Sequence, residues 1–300
     1  METVLVTQGL TKTYRGKRVV NGVNMSVERG DIYGFIGKNG AGKTTLMKMV
    51  CGLAKVSEGS FELFGSADIS AGRRKVGCVI EQPALYPGMS ARENLIYYSK
   101  MQGCEKITDI EGILRLVGLA DTGELKSKRF SLGMKQRLSI AVALLGEPEF
   151  LVLDEPINGL DPSGIREVRE LLLRLHQERK VTILISSHIL GELGKIATKY
   201  GIIHEGQLLE EFTAQELRAR SVKELCLRVD DIQKACKILE EQCGIRHYEV
   251  KEDAVIRVRE EWGDAAAINE KLVAGGARVS RLAEEGQDME MYFVRRMSGM

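Results

Sequence analysis

The run Gly37-Lys38-Asn39-Gly40-Ala41-Gly42-Lys43-Thr44-Thr45 sets glycines beside a lysine and two threonine hydroxyls. Glycines let backbone N–H groups close around the oxygens of an anion, and a helix starting at the end of the run adds a favourable dipole. At this spacing the Lys43 ammonium can reach the β- and γ-phosphates of a nucleoside triphosphate, while the Thr44 hydroxyl can ligate Mg²⁺. Asn39, Gly40, Ala41, Gly42 and Thr45 complete the cradle. A plain glycine turn entering a helix is the other reading of such a run. The flanks decide against it, because an apolar strand at 32–36 precedes the run and a helical pattern at 45–53 follows it.

A second chemical signal is Asp154-Glu155, directly after the apolar run Phe150-Leu151-Val152-Leu153. Two acids at the carboxyl end of a buried strand sit where α/β folds place ligands. Asp154 suits a Mg²⁺ contact, commonly through water, and Glu155 is placed to polarise an attacking water. Adjacent acids are otherwise usually a solvated loop.

The elements that must position these groups alternate. Short strands are expected within 1–30, at 76–80, 150–153 and 182–185, with a helix at 163–178. Residues 90–146 read as largely helical, with Ser90 capping a helix over 91–100. Strands alternating with helices indicate a parallel α/β core. From about residue 220 the pattern restarts as strands at 224–229, 248–251 and 255–258 with amphipathic helices at 232–241 and 265–274. That order suggests a small β-α-β-β-α-β unit, ferredoxin-like or related. The chain thus divides into 1–218 and 219–300. His247, Glu260 and Glu261 in the second part read as solvated surface, and the single tryptophan is Trp262.

Composition excludes several classes. With 300 residues, 44% hydrophobic and 28% charged, the chain resembles ordinary globular proteins. A net charge of +1 offers no argument for nucleic acid or an anionic membrane surface. No apolar run approaches bilayer-spanning length, and the start lacks a signal-peptide pattern, so a cytoplasmic setting is expected. The six cysteines show no C-x-x-C pair and no histidine cluster, which predicts reduced, structural thiols.

Further motifs carry a family resemblance. Phe130-Ser131-Leu132-Gly133-Met134-Lys135-Gln136-Arg137 resembles the signature of ATP-binding-cassette (ABC) ATPases, Asn158-Gly159-Leu160-Asp161 their D-loop, and Ser186-Ser187-His188 their switch histidine. Tyr14 matches the aromatic that stacks on adenine, with Val19 nearby on the ribose side. The resemblance spans about residues 1–218. It implies a RecA-like core with antiparallel β and helical subdomains, and two copies pairing head to tail around two ATP molecules. Asp161, as part of the D-loop, is counted with the nucleotide-binding residues. Ser131 and Gly133, at the start of a helix expected to run through Leu145, would face the γ-phosphate held by the other copy. His188 would contact the γ-phosphate and help hold the attacking water.

Two departures narrow the resemblance. Leu132 and Met134 flank Gly133 where the family commonly has glycine and glutamine. Glu81 stands where most members have glutamine, with Gln82 one residue later and Pro83 fixing the turn. Glu81 can still ligate Mg²⁺ and orient water, although it adds negative charge beside the triphosphate. A one-residue shift giving that task to Gln82 is the alternative. These details resemble ATPase subunits of lantibiotic-protection and bacitracin-resistance exporters, which implies a separate integral-membrane permease as partner and a peripheral position on the inner face of the cell membrane. Leu85, Tyr86, Pro87 and Met89 are expected either to line a groove for a permease helix or to be core of the helical subdomain. A soluble ABC ATPase acting on nucleic acid or ribosomes is the competing function, although the coiled-coil insertion or second cassette of such proteins is lacking. A module that binds ATP without hydrolysing it is disfavoured by Lys43, Asp154, Glu155 and His188 together.

Overall fold

A computed structural model of the chain describes residues 2–81, 85–104, 109–220, 223–251, 254–258, 262–286 and 292–293. Gln82, Pro83, Glu260 and Glu261 therefore lie outside the described residues. Two compact units are present, Met1–Ala214 and Gln215–Met300.

The first unit opens with β1 (Thr3–Tyr14), β2 (Lys17–Val23) and β3 (Ser26–Glu28), which form an antiparallel sheet in the order β2-β1-β3. Arg15 (φ 49°) and Gly16 (φ 82°) turn β1 back into β2, the paired left-handed conformation of a tight hairpin. β4 (Ile32–Ile36) leads through the phosphate loop into α1 (Lys43–Val50). β5 (Glu58–Leu63) then adds to β1, and the short α2 (Ile69–Arg73) follows.

Helix α1 starts and stops two to three residues ahead of the 45–53 expected from sequence. It stops because the Arg73 guanidinium donates to the carbonyls of Met49 and Val50, and because Gly52 turns left-handed at φ 82°. Leu46, Met47, Met49 and Val50 of α1 bury their side chains in one core with Val4, Leu5, Phe35 and Phe150.

β6 (Val76–Val79) precedes the helical stretch α3 (Ala91–Gln102), α4 (Ile110–Leu116) and α5 (Leu132–Ala143). Ser90 caps α3 in a full capping box with Glu93, as its sequence position implies. β7 (Phe150–Asp154), α6 (Pro162–Arg179), β8 (Thr182–Ser187), α7 (Leu190–Leu193), β9 (Lys199–His204) and β10 (Gln207–Thr213) complete the unit. The central sheet runs β10-β9-β4-β8-β7-β6, parallel except for the β9–β10 pair. β4, β7 and β8 are buried at every position, as doubly covered parallel strands require. Gly77 lets α5 approach β6 directly: a Cβ there would lie 2.0 Å from the Ala143 carbonyl oxygen.

In the second unit, α8 (Ala214–Arg220) begins at the boundary. β11 (Lys223–Val229), α9 (Ile232–Gln242), β12 (Tyr248–Lys251), β13 (Val255–Val258), α10 (Ala265–Ala274) and β14 (Val279–Gly286) follow in β-α-β-β-α-β order. Its sheet, β12-β13-β11-β14, is antiparallel throughout. Leu225, Leu227, Ile256 and Val258 pack against Ala235, Leu239, Ile268 and Leu272 of the two amphipathic helices. Among the described residues none of the six cysteines forms a disulfide, and Cys78 is exposed whereas Cys104 and Cys226 are buried.

Candidate functional site

Four parallel strands deliver their carboxyl ends to one edge of the central sheet. β4 feeds the phosphate loop, β6 leads to Glu81, β7 ends in Asp154, and β8 ends at Ser187 beside His188. This is the edge at which open α/β sheets bind ligands.

The phosphate loop is shaped by its glycines. A side chain on Gly37 would strike the Ile203 carbonyl oxygen at 2.5 Å, and one on Gly42 that of Val19 at 2.7 Å. Gly42 occupies the N-cap of α1 at φ 109° and offers no side-chain cap. The first N–H groups of α1 therefore face outward without a capping side chain, in contrast to α3, α5 and α6, which Ser90, Ser131 and Asp161 cap. Val19, Lys38, Asn39, Gly40, Ala41, Gly42, Lys43, Thr44, Thr45 and Glu155 line a cavity of about 150 Å³ over that helix end. An open ring of donors with positive helix polarity is a site for a phosphate chain.

Charges around the cavity are individually partnered. The Lys43 ammonium, only 5% exposed, donates to the Gly37 carbonyl at 2.5 Å and stands 3.3 Å from Glu155 Oε1. Glu155 Oε2 meets His188 Nδ1 at 2.8 Å. Glu155 Oε1 is buried yet accepts no hydrogen bond. Its backbone is left-handed at φ 49°, a conformation non-glycine residues adopt at a cost and often at functional sites. Here it aims the carboxylate between Lys43 and His188.

Asp154 is 6% exposed, and among the described residues it has no ion-pair partner. Instead Thr44 Oγ1 donates to its Oδ2 at 2.7 Å, and Ser186 Oγ to its Oδ1 at 2.6 Å. A buried carboxylate held only by hydroxyls, with Thr44 Oγ1 beside it, is a hard-oxygen donor pair that fits Mg²⁺. The same Ser186 Oγ accepts from the Glu155 N–H at 2.9 Å. Ser186 thus orients both acids, a role that sequence reading did not assign. The signal available was register: in the parallel ladder Ser186 lies opposite Asp154.

The remaining sequence candidates are distributed as follows. Glu81, at φ 62°, pairs with Lys48 Nζ at 2.5 Å and lines a second cavity of about 650 Å³ with Asp154, Glu155, Leu85, Pro87 and Gln136. Val19 lines the phosphate cavity, but Tyr14 does not; it is 47% exposed, with the Lys12 ammonium 4.7 Å above its ring. Ser131 and Gly133 sit at the N-terminus of α5 and line neither cavity, although Leu132 between them and Lys135 and Gln136 line the larger one; the Ser131 hydroxyl accepts from the Met134 N–H. Asp161 likewise stands apart, capping α6 by accepting from the Gly164 N–H at 3.2 Å. Leu85 and Pro87 line the larger cavity, whereas Tyr86 is 39% exposed and packs on Tyr97 and Tyr98.

The ABC transporter family profile matches residues 20–158. The chain is 43% identical, over 100% of its length and 99% of the relative's, to the bacitracin transport ATP-binding protein BcrA of Bacillus licheniformis. It is also 43% identical, over 69% of its length and 90% of the relative's, to the lantibiotic transport ATP-binding protein SrtF of Streptococcus pyogenes. A solved ATP-binding subunit of an ABC transporter superposes with a TM-score of 0.63 at 29% identity, over 73% of this chain and 93% of that one.

Proposed function

The chain belongs to the ATP-binding subunits of ABC transporters, and on that footing we propose that it is the ATPase that drives a separate membrane permease exporting peptide antibiotics of the bacitracin or lantibiotic kind. Similarity over the entire length to a bacitracin transport subunit supports the export reading, because it includes residues 215–300 as well as the cassette. No described helix is long and apolar enough to cross a membrane. In this reading the transport path lies in the permease, with this subunit docked on its cytoplasmic face.

The observation that carries the hydrolytic mechanism is Glu155 placed between Lys43 and His188 with one buried oxygen free of hydrogen bonds. The exposed N–H groups of α1 and the loop bind the phosphates. Lys43 moves from Glu155 and Gly37 to the β- and γ-phosphates. Glu155, so released, turns its unsatisfied Oε1 to the attacking water and takes up its proton. His188, held by Glu155, faces the γ-phosphate side. Thr44 and Asp154, with Glu81, would hold Mg²⁺, which when bound neutralises charge developing on the phosphate oxygens. Tyr14 and Val19 flank the base and ribose. Ser131 and Gly133, which stand apart from the phosphate loop of their own chain, are assigned to the nucleotide of a second copy in a head-to-tail dimer, with Asp161 near the junction.

The permease assignment is tested by purifying the tagged protein from its native membrane. A multi-span membrane protein should accompany the wild type and be lost with Tyr86→Glu, while binding of a fluorescent ATP analogue stays unchanged. Recovery of ribosomes or DNA-bound proteins in place of a permease would overturn the transport role and leave the ATPase standing.

A further inference from the structure

Three carboxylates and two ammonium groups meet at the carboxyl edge of the parallel sheet, and each acid has its own partner. Glu155 faces Lys43, Asp154 is held by the hydroxyls of Thr44 and Ser186, and Glu81 is held by Lys48. The last pair has no structural need: its side chains are 30% and 63% exposed, and ion pairs that exposed add little to stability. Its placement is more informative. Lys48 follows Thr44 by one helical turn, so both project from the same face of α1. Glu81 follows β6, which pairs with the strand ending in Asp154. Glu81 and Asp154 line the same cavity.

We propose that Lys48 is a latch on Glu81: a positioning residue whose ammonium holds the carboxylate against α1 and must release it before that carboxylate can face a nucleotide-bound divalent cation. This rests on the reading of Glu81 as a metal-facing group. The physical basis is competition, since an ammonium and a divalent cation draw on the same carboxylate oxygens. Lys43 and Glu155 present the same relation five residues earlier on α1, so the helix carries two cations that each restrain an acid. Removing the Lys48 charge frees Glu81 and strengthens metal binding. An ammonium near the site also repels a cation directly, so the effect must be shown to pass through Glu81.

The test is a titration with Mn²⁺, read as free Mn²⁺ by electron paramagnetic resonance, on the full chain saturated with a non-hydrolysable ATP analogue. Lys48→Met is expected to tighten Mn²⁺ binding about three- to fivefold, the scale of an exposed ion pair. Lys48→Arg should stay near wild type, Glu81→Gln should weaken binding, and Lys48→Met should have no further effect when combined with Glu81→Gln. Unchanged affinity in Lys48→Met, or an equal tightening in the combined variant, would sink the latch while leaving Glu81 at the metal. If Glu81→Gln alone leaves Mn²⁺ affinity unaltered, the metal-facing reading fails and the latch with it.

Discussion

Ser186 shows how much of the site depends on single atoms: one hydroxyl donates to Asp154 and accepts from the amide of Glu155. Removing it leaves a buried carboxylate oxygen and a partly buried N–H without their partner, a loss of about 1–3 kcal/mol. Ser186→Ala should therefore lower kcat for ATP hydrolysis about ten- to a hundredfold, measured by phosphate release, because both acids lose their orientation. ATP affinity, carried by the phosphate loop, should change far less. Lys43, Asp154, Glu155 and His188 were legible from sequence because each lies in a contiguous motif next to an apolar strand. Ser186 and Lys48 were not, because their partners are set by strand register and by a helix face meeting a distant loop. Asp161 illustrates the converse: its motif was legible, and the structure also spends its side chain on capping α6.

At the scale of elements, close approach governs. Gly77 has no room for a Cβ, which would lie 2.0 Å from the Ala143 carbonyl oxygen. Gly77→Ala should force β6 and α5 apart and lower Tm by about 5–10 °C, whereas Gly88→Ala, with open space around it, should shift Tm by less than about 1 °C. At the amino-terminal edge of the same sheet, close to Gly77, the Lys75 ammonium and then the Arg29 guanidinium hold the Glu149 carboxyl below its ordinary range, and Arg29 does the same for Glu2. A depressed carboxyl contributes stability above its unfolded pKa and loses it as pH falls through the folded value. Glu149→Gln should lower Tm at neutral pH, by about 2 °C or less for groups so exposed, and the gap to wild type should close on acidification, which thermal melts across the acid range would follow. Sequence periodicity found the central strands but shortened β1 to a few residues. Register shifts between Leu10 and Lys12, and between Lys12 and Thr13, interrupt the alternation that reading relied on. β9 and β10 went unread because Lys199–His204 is a short apolar run whose strand character comes from pairing with β4.

For the whole molecule, every residue around the phosphate cavity belongs to the first of the two compact units. ATP should then stabilise that unit alone, by about 2.7 kcal/mol at a hundred times its Kd. Calorimetry with and without nucleotide should show one transition moving upward and the transition of residues 215–300 staying in place; a shared shift would mean that the two units unfold as one. Although β14 received no range because Val279–Gly286 does not alternate, most of the second unit's element order was legible because β11 alternates and the helices are amphipathic. A ligand for it was not, because its described side chains form a core and a charged surface with no constellation resembling that of the first unit.

The missing side chain at Gly77 also gives α5 a mechanical character. The helix meets the sheet near Ala143 and carries Ser131 at its far end, so it is an arm with its fulcrum beside the strand that leads to Glu81. Twelve residues of helix make an arm of about 18 Å, so each 5° of rocking about that point carries Ser131 through about 1.5 Å, half a hydrogen-bond length.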